Sequence, residues 1–301
     1  MLTKKRYIEN LFRLIRNFII TKILFPVFVR KKKTSKKYYA TICAIFKNEA
    51  KYFKEWLEYY QEIGIDHFYL YNNNSDDNYQ KVLAPYIKEG LVTLVEWPEK
   101  PGQMSSYLNC IETFSDEADW IGFIDLDEFI CPVKYYKVSQ WLQKFERYPT
   151  AYIFWKFFGS KGTFNESEYN LVSEHFILAS PIEYGCKLFF NTRWAKKVKS
   201  FHIPHVMRIK SWGVVIPQHS RLFFRLRKTL PENKIDIQIN HYYCKSYEYQ
   251  IKKKIVCGLV LRANQNYDIS GFFDIDTIAT TPDYKIYKYV SKLKERLNQT
   301  K

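Results

Sequence analysis

Residues 38–73, "YYATICAIFKNEAKYFKEWLEYYQEIGIDHFYLYNN", decide the fold of this 301-residue chain. Residues 38–46 are a continuous β-prone run, which predicts a buried strand. In residues 47–64 the apolar side chains recur at helical spacing up to Gly64, which predicts a helix that ends there. Residues 67–73 form a second β-prone run. This order of strand, helix and strand indicates two parallel strands joined by a crossover helix.

The same alternation continues as far as residue 133. It predicts an α/β fold with a mostly parallel central sheet that helices cover on both faces. After Pro132 the pattern is less regular. The further predicted elements are a helix in residues 75–90 capped by Ser75 and ended at Gly90, a strand at 91–97, a helix from about Gln103 to Phe114, a strand at 120–125, a short helix at 139–149, and a strand at 150–158 that ends in a Gly-containing turn.

The positive charge of the chain is concentrated near its start. Residues 1–37 hold twelve Lys and Arg residues and one Glu, a net +11 of the formal +16. The rest of the chain is only mildly basic, which does not favour nucleic acid as a partner.

Residues 8–25 of this basic segment can form a helix with one polar and one apolar side. Lys22 interrupts the apolar run and Pro26 bends or ends the helix, so the uninterrupted apolar stretches are too short to span a bilayer. We expect it to lie on the inner face of the cell membrane, with its apolar side in the headgroup region and its Lys and Arg residues at anionic lipid. The alternatives are a helix packed on the domain surface and an uncleaved signal-like leader.

The chain has six cysteines, which show no Cys-x-x-Cys spacing. Several lie within apolar runs, as buried free thiols do. This distribution indicates a reducing cytoplasmic compartment and argues against a disulfide framework or a zinc knuckle.

Polar clusters follow three of the predicted strands: residues 47–49, 72–77 and 125–128. Ligands of parallel α/β sheets bind beyond the carboxyl ends of the strands, so we expect these clusters to converge. Asp125 and Asp127 stand two apart after the fourth strand, and one divalent cation, Mg²⁺ or Mn²⁺, would turn their repulsion into shared coordination. The alternative is a solvated strand end whose acidic residues cap the next element.

Four stretches occur in the order that is found in one family of enzymes: "AIFKNEAKYFKEWLEYYQEIGIDHFYLYNNNSDDN", "WIGFIDLDEFICP", "FWKFFGSKGT" and "INHYYCKSYEYQIKK". Over about residues 40–260 the chain resembles the nucleotide-sugar-dependent glycosyltransferases of family 92, or a close bacterial relative with the GT-A fold. "FKNEA" and "DLDEF" are shared with wider groups of glycosyltransferases, whereas their combination with "FGS" and "NHYYCKS" is more specific.

The resemblance implies a role for each of several residues. Asp125 and Asp127 would be the Asp-x-Asp motif that holds the metal and the donor diphosphate, with His241 as a third protein ligand. The other implied contacts are Asn48, Glu49, Asn73 and Asn74 with the donor nucleoside, Lys245 with the leaving diphosphate, and Gly159, Ser160 and Gly162 with the acceptor sugar. Family members often have Ser-Ser-Gly-His where this chain has Ser-Lys-Gly-Thr, so its acceptor contacts are expected to differ.

Known family members invert the anomeric carbon, which requires a carboxylate that removes the acceptor proton. Glu174 matches a recurrent family Glu and is the catalytic residue that we predict. The competing carboxylates are Glu166, Glu168 and Glu183.

Other residues have both a structural and a functional interpretation. His202 and His205 are a weaker candidate ligand pair. Trp155, Phe157 and Phe158 can stack on a sugar, but the commoner role of such an apolar run is in the core. Asp274 and Asp276 form a second Asp-x-Asp outside the family motifs, which we interpret as surface.

These observations predict three segments. Residues 1–37 are a membrane-associating segment, residues 38–262 a GT-A glycosyltransferase domain with a nucleotide-binding half (38–133) and an acceptor half (134–262), and residues 263–301 a helical or loop extension. The expected enzyme is a hexosyltransferase that transfers a hexose from a nucleotide-diphosphate sugar, expected to be UDP-linked, to a glycan or lipid-linked acceptor. A retaining transferase and a catalytically silent scaffold that binds glycans or lipids are the alternatives.

Overall fold

The computed structural model describes residues 36–203, 206–209, 235–256 and 269–299, together with seven isolated positions between residues 8 and 27. The predicted basic segment at residues 1–37 therefore falls largely outside the described residues. Among the described helices, none combines the length and the apolar character that a transmembrane helix needs.

Nine strands form one sheet in the described part of the chain, and two more form a separate pair. The order across the large sheet is β3-β2-β1-β4-β7-β6-β10-β5, with β11 paired to β7. The strand bounds are β1 Tyr38–Phe46, β2 His67–Asn72, β3 Val92–Glu96, β4 Ala118–Phe123, β5 Glu128–Pro132, β6 Thr150–Phe158, β7 Leu178–Asn191, β8 Val198–Ile203, β9 Val206–Ile209, β10 Ile237–His241 and β11 Thr281–Pro282.

Eight α-helices lie between these strands or after them within the described residues. Their bounds are α1 Ala50–Glu62, α2 Tyr79–Lys88, α3 Gln103–Phe114, α4 Val138–Leu142, α5 Val172–His175, α6 Tyr247–Gln250, α7 Ser270–Ile278 and α8 Tyr287–Gln299. A π-helical segment, Ile251–Val256, continues from α6.

The side chains of β1 alternate between two apolar cores, one on each face of the sheet. Ile42 packs in the core that also contains Trp56 of α1, whereas Cys43 packs in the core that contains Tyr107 of α3. Because successive side chains of a strand point to opposite faces, a strand that is apolar throughout must be covered on both. The continuous β-prone run at residues 38–46 is therefore explained by its central position.

Six strands of the sheet point in one direction. β1 is parallel to β2 and β4, and β2 is parallel to β3. β7 is antiparallel to both β4 and β6, and β10 is parallel to β6. The carboxyl ends of β1, β2, β3, β4, β6 and β10 consequently share one edge of the sheet, which we call the carboxyl edge.

The predicted fold class, an α/β fold with a mostly parallel central sheet between helices, is confirmed. The helix predicted from Gln103 to Phe114 has these bounds in the structure. The predicted cap at Ser75 is wrong, because the second helix begins only at Tyr79. Ser75 Oγ instead accepts a hydrogen bond from the backbone N–H of Asn48, which ties the loops after β1 and β2 together.

The C-terminal segment completes the sheet and its helical layer. β11 pairs with β7, and α8 lies against α1. Between these two elements Asp283 is buried and accepts hydrogen bonds from Lys156 of β6 at 2.7 Å and from Lys285 at 2.8 Å. Burial acts to raise the pKa of Asp283, but these two ammonium groups outweigh it and lower the pKa to about 2. A buried charge of this kind needs such partners, so the segment is held firmly on β6.

The five described cysteines, Cys43, Cys110, Cys131, Cys186 and Cys244, are buried free thiols, as the sequence predicts. Cys257 lies outside the described residues.

Candidate functional site

The carboxyl edge brings together the polar segments that the sequence singles out. They are residues 47–49 after β1, 73–75 after β2, 125–127 after β4, 159–162 after β6 and 241–246 at the end of β10. Because all five follow strands of the same direction, they lie at one end of the sheet. This edge is the candidate functional site.

Asp125 is held from three sides by residues of the sheet and of α3. Its Oδ1 accepts hydrogen bonds from Gln103 Nε2 at 3.0 Å and from Tyr107 Oη at 3.1 Å. Its Oδ2 lies 2.6 Å from Lys187 Nζ, and the side chain of Lys187 has no solvent exposure. β7 is the neighbour of β4 in the sheet, and this pairing delivers Lys187 to the acidic strand end.

Lys187 and Glu128 form the buried base of the acidic cluster. Lys187 Nζ lies 3.7 Å from Glu128 Oε2, and Glu128 also has no side-chain exposure. Burial lowers the pKa of Lys187, but the carboxylates of Asp125 and Glu128 outweigh it and the net shift is upward. Burial raises the pKa of Glu128 well above its usual value, against the opposing charge of Lys187. The repulsion that the sequence predicts within this cluster is thus compensated partly by a lysine of the chain itself.

Asp127 and His241 lie side by side next to this buried base. Asp127 Oδ1 is 3.6 Å from His241 Nε2, and each side chain is 10% exposed. The register of β10 on β5 places His241 opposite Glu128, whose Oε1 is 4.0 Å from His241 Nδ1. Within the residues that the structure describes, no three His, Cys, Asp or Glu side chains are gathered in a ready-made metal site. The arrangement offers a carboxylate and an imidazole, while Asp125 is turned to Lys187.

Two aromatic rings of β6 flank His241. The centroids of Trp155 and Phe157 each lie 4.9 Å from that of the imidazole ring, and both side chains are half-buried. Trp155 occupies the space above Gly185, where a Cβ would lie 1.9 Å from its ring, so residue 185 must be glycine. Phe158, by contrast, is fully buried in the core. Of the three aromatic residues, Trp155 and Phe157 therefore lie at the site, and Phe158 lies in the core.

The four residues predicted for the nucleoside shape the loops after β1 and β2. Asn73 is buried, and its amide donates to the carbonyl oxygens of Trp97 at 2.7 Å and Glu99 at 2.8 Å. Asn74 is exposed and has a positive φ of 57°, as Asn48 has with 54°. Asparagine tolerates this left-handed backbone better than most residues, which explains the residue type at both positions.

Glu49 is tied to the segment after α6. Its Oε1 lies 2.7 Å from Lys253 Nζ, which also donates to the carbonyl oxygen of Lys47. Lys253 belongs to the π-helical segment Ile251–Val256. Lys253, from the second half of the chain, thereby contacts the loop of residues 47–49 at the carboxyl edge.

Lys245 is enclosed beneath the same region. It is fully buried, and its Nζ lies 4.2 Å from the ring centroid of Tyr52 and 3.9 Å from that of Tyr249. Such cation–π contacts stabilise a desolvated ammonium. In this arrangement the Lys245 ammonium contacts two aromatic rings and has no solvent exposure.

The predicted base Glu174 is directed away from the carboxyl edge. Its Oε1 lies 2.5 Å from Lys294 Nζ of α8 in the outer helical layer, and its side chain is 41% exposed. Of the competing carboxylates, Glu166 is the one on the side of the site. It accepts a hydrogen bond from Tyr52 Oη, and its side chain is 17% exposed.

Other candidates have structural roles or cannot be placed. Glu168 accepts hydrogen bonds from the N–H groups of Phe164 and Asn165 and caps a short turn. The side chains of Glu183 and His202, and the whole of His205, lie outside the described residues.

Sequence reasoning missed Lys187 and Lys253. The signal for Lys187 is a lysine inside the apolar run "CKLFF", which indicates a buried charge and hence a carboxylate partner. No comparable pattern marks Lys253, which lies in a run of three lysines.

The family model of glycosyltransferase family 92 matches residues 36–257 of the chain. A family 92 protein of Oryza sativa subsp. japonica is 33% identical over 90 residues, and one of Arabidopsis thaliana is 31% identical over 101 residues. These alignments cover 30% and 33% of this chain, but only 15% and 18% of the two relatives.

Among solved structures, residues 1–349 of TarS from S. aureus show a TM-score of 0.38 at 12% identity, over 52% of this chain and 48% of that chain. The same region of TarS has also been solved in complex with UDP-GlcNAc, and there the TM-score is 0.37 at 13% identity, over 52% of this chain and 46% of that one.

Proposed function

The chain belongs to glycosyltransferase family 92, and from this premise we propose that it transfers a hexose from a nucleotide-diphosphate sugar, UDP-linked, to a glycan or lipid-linked acceptor. The observation that carries the proposal is the convergence of the matched motifs at the carboxyl edge. The acidic strand end, the loops after β1 and β2, the turn after β6 and His241 all lie at this edge. A nucleotide sugar needs contacts of these kinds for its base, its diphosphate and its sugar.

A divalent cation, Mn²⁺ or Mg²⁺, fits the donor atoms of Asp127 and His241. One carboxylate and one imidazole stand next to each other with limited exposure, and such a pair leaves coordination positions open for phosphate oxygens. When bound, the ion would neutralise the charge that develops on the diphosphate leaving group. Asp125, which Lys187 holds, orients the strand end and accepts hydrogen bonds from α3.

The sugar and the acceptor are proposed to lie between the aromatic rings and the Gly-containing turn. Trp155 and Phe157 present half-buried ring faces beside His241, and such faces stack on the C–H face of a sugar. Gly159, Ser160 and Gly162 would line the acceptor side.

Transfer with inversion requires a carboxylate for the acceptor proton. Glu166 is better supported for this role than Glu174. Tyr52 donates a hydrogen bond to Glu166, and its ring packs on that of Tyr249 with the centroids 5.5 Å apart. Tyr249 Oη in turn lies 3.5 Å from Oε1 of Glu49 at the carboxyl edge. Glu174 is held by Lys294 in the outer helical layer instead.

Nucleoside diphosphate release tests the proposal. The full chain with MnCl₂ is incubated with UDP-glucose, UDP-galactose and UDP-GlcNAc in turn, and free UDP is measured with and without an excess of EDTA. We expect release from one of these donors and its loss on removal of the metal. No release from any donor and no calorimetric binding of UDP would contradict an enzymatic function and favour a scaffold that binds glycans.

We propose further that the chain acts at the inner face of the cell membrane, in the synthesis of cell-surface polysaccharide or lipooligosaccharide. The seven described residues between positions 8 and 27 of the basic segment are apolar and exposed: Ile8, Leu11, Phe12, Ile15, Ile19, Ile23 and Val27. Apart from the adjacent pair Leu11 and Phe12, these residues are three or four positions apart, which is typical of one helical face, and the surrounding cations favour anionic lipid. The occupant of this surface is accordingly a lipid headgroup layer.

Vesicle binding tests the membrane proposal. We expect the full chain to sediment with phosphatidylglycerol-containing vesicles more than with pure phosphatidylcholine vesicles. A variant with Arg30, Lys31, Lys32 and Lys33 changed to Gln should bind roughly 1,000-fold more weakly, because each of the four charges contributes about 1 kcal/mol near an anionic surface. The proposal would be refuted if the unchanged chain bound both vesicle types equally, or if the variant bound the anionic vesicles as tightly as the unchanged chain does.

A further inference from the structure

The turn after β6 is held by a helix that lies outside the family match. The backbone N–H of Ser160 donates to Asp276 Oδ1 of α7 at 2.5 Å, and Ser160 is buried. The match to family 92 ends at residue 257, whereas α7 spans Ser270–Ile278. Of the two residues expected at the surface, Asp274 is exposed, whereas Asp276 is only half-exposed and its carboxylate accepts the hydrogen bond from Ser160.

The contact between the turn and α7 requires glycine at residue 159. A Cβ on Gly159 would lie 2.7 Å from Asp276 Oδ1 and 2.9 Å from Ala279 Cβ. Both distances are too short for non-bonded atoms, so a larger residue would push α7 away. Gly159, which the sequence analysis assigns to the acceptor site, thus also allows α7 to pack closely against the turn.

The turn also needs an external support because its backbone is unusual. Lys161 and Gly162 have positive φ angles of 56° and 76°. A left-handed conformation at a residue with a side chain costs about 1–2 kcal/mol, so other contacts must hold the turn in this shape. Internal hydrogen bonds come from Ser160, whose Oγ accepts from Gly162 N at 3.1 Å. The bond to Asp276 fixes this same residue from outside.

The segment that carries Asp276 is anchored at its other end as well. Asp283 binds Lys156 of β6, and Lys156 is two residues before the end of that strand. The chain from Asp276 to Asp283 is thus fastened at both ends to β6 and to the turn that follows it. The position of the Asp276 carboxylate is therefore fixed by contacts at both ends of this segment.

We propose that Asp276 is a positioning residue for the acceptor: its carboxylate fixes Ser160 and so holds the Gly159–Gly162 turn in the shape that receives the acceptor sugar. The inference rests on the proposed function of this turn. A hydrogen bond to a charged acceptor is stronger than one to a neutral acceptor. Loss of the Asp276 carboxylate would leave the buried N–H of Ser160 without this partner. The turn would then shift, and displacement of a positioned substrate by about 1 Å can cost 10²-fold in rate.

Three variants test the proposal. Asp276→Ala removes the hydrogen-bond acceptor, and Asp276→Asn restores a neutral acceptor of the same shape. Asp274→Ala is the matched control, since Asp274 is an exposed carboxylate on the same helix. All three variants are first compared with the unchanged chain by thermal melting.

The first readout is hydrogen exchange of the peptide covering residues 157–164, measured by mass spectrometry. We expect faster exchange in Asp276→Ala, largely normal exchange in Asp276→Asn, and no change in Asp274→Ala. Unchanged exchange in Asp276→Ala would overturn the proposal whatever the enzymatic activity, because the turn would then be held without this bond.

The second readout separates acceptor use from donor use. UDP release is measured without an acceptor and with p-nitrophenyl β-galactoside or p-nitrophenyl β-glucoside as the acceptor probe. We expect Asp276→Ala to raise the KM for the acceptor, and so to lower kcat/KM, by up to about 100-fold, which is the cost of displacing a positioned substrate by about 1 Å, with a smaller effect on release without acceptor. An unchanged KM would overturn the inference while leaving the proposed function intact. If the unchanged chain releases no UDP, the proposed function fails, and hydrogen exchange still decides whether Asp276 holds the turn.

Discussion

Replacement of Lys187 by methionine is expected to lower the free energy of unfolding by about 3–5 kcal/mol, which is the usual cost of removing one partner from a buried ion pair. Lys187 and Glu128 have no side-chain exposure, and Asp125 lies 2.6 Å from the ammonium. Methionine has a similar shape, but it leaves the two carboxylates beside each other without their counter-ion. Urea or guanidinium unfolding measures the change.

Two further variants make the Lys187 result specific. Lys144→Met removes an exposed lysine whose Nζ lies 3.2 Å from Asp236 Oδ2, and it should cost less than about 1 kcal/mol, as exposed pairs do. Adding Asp125→Asn to Lys187→Met should recover part of the lost stability, because it removes the repulsion that the first change creates. A Lys187→Met protein as stable as the Lys144→Met protein would show that the lysine does not compensate the acidic cluster.

The second large effect is expected at Asp127. Asp127→Ala should lower metal-dependent UDP release and sugar transfer by at least about 100-fold, the cost of removing one preorganised group that stabilises developing charge. The fold should survive, because it is the backbone carbonyl of Asp127, and not its side chain, that accepts the N–H of Tyr242 at 2.8 Å. A UDP-release assay and calorimetry with Mn²⁺ in the presence of UDP measure the two losses.

Asp274→Ala is again the control for the loss of a carboxylate, and it should behave like the unchanged chain. Asp127→Asn should retain the shape of the side chain and lose most of the metal affinity. An Asp127→Ala protein that keeps more than half of its activity would rule out the proposed role of Asp127, since His241 cannot hold a divalent cation by itself.

The two predictions assign different tasks to the two members of the Asp-x-Asp motif. From the sequence, Asp125 and Asp127 are equivalent metal ligands. In the structure Asp125 binds Lys187, Gln103 and Tyr107, whereas Asp127 lies beside His241. We therefore expect the loss of Lys187, the partner of Asp125, to lower mainly the stability of the fold. We expect the loss of Asp127 to lower mainly the enzymatic activity.

Local patterns in the sequence were sufficient for the first half of the fold. The β-prone run at residues 38–46 and the helix Gln103–Phe114 have their predicted bounds, because periodicity and end signals are encoded within short windows. The convergence of the polar loops also followed from the sequence, since parallel strands must bring their carboxyl ends to one edge. Ser75 was misassigned because its partner, Asn48 N, lies in another loop.

The sequence by itself determined the α/β class, the carboxyl edge and the types of chemical group that gather there. Only the tertiary structure decided which charges meet, because such pairs depend on which strands become neighbours. Lys187 and Asp125 are 62 residues apart, and Ser160 and Asp276 are 116 apart. No short window contains either pair. For the same reason Glu174 could be recognised from its motif, whereas its contact with Lys294, 120 residues away, could not.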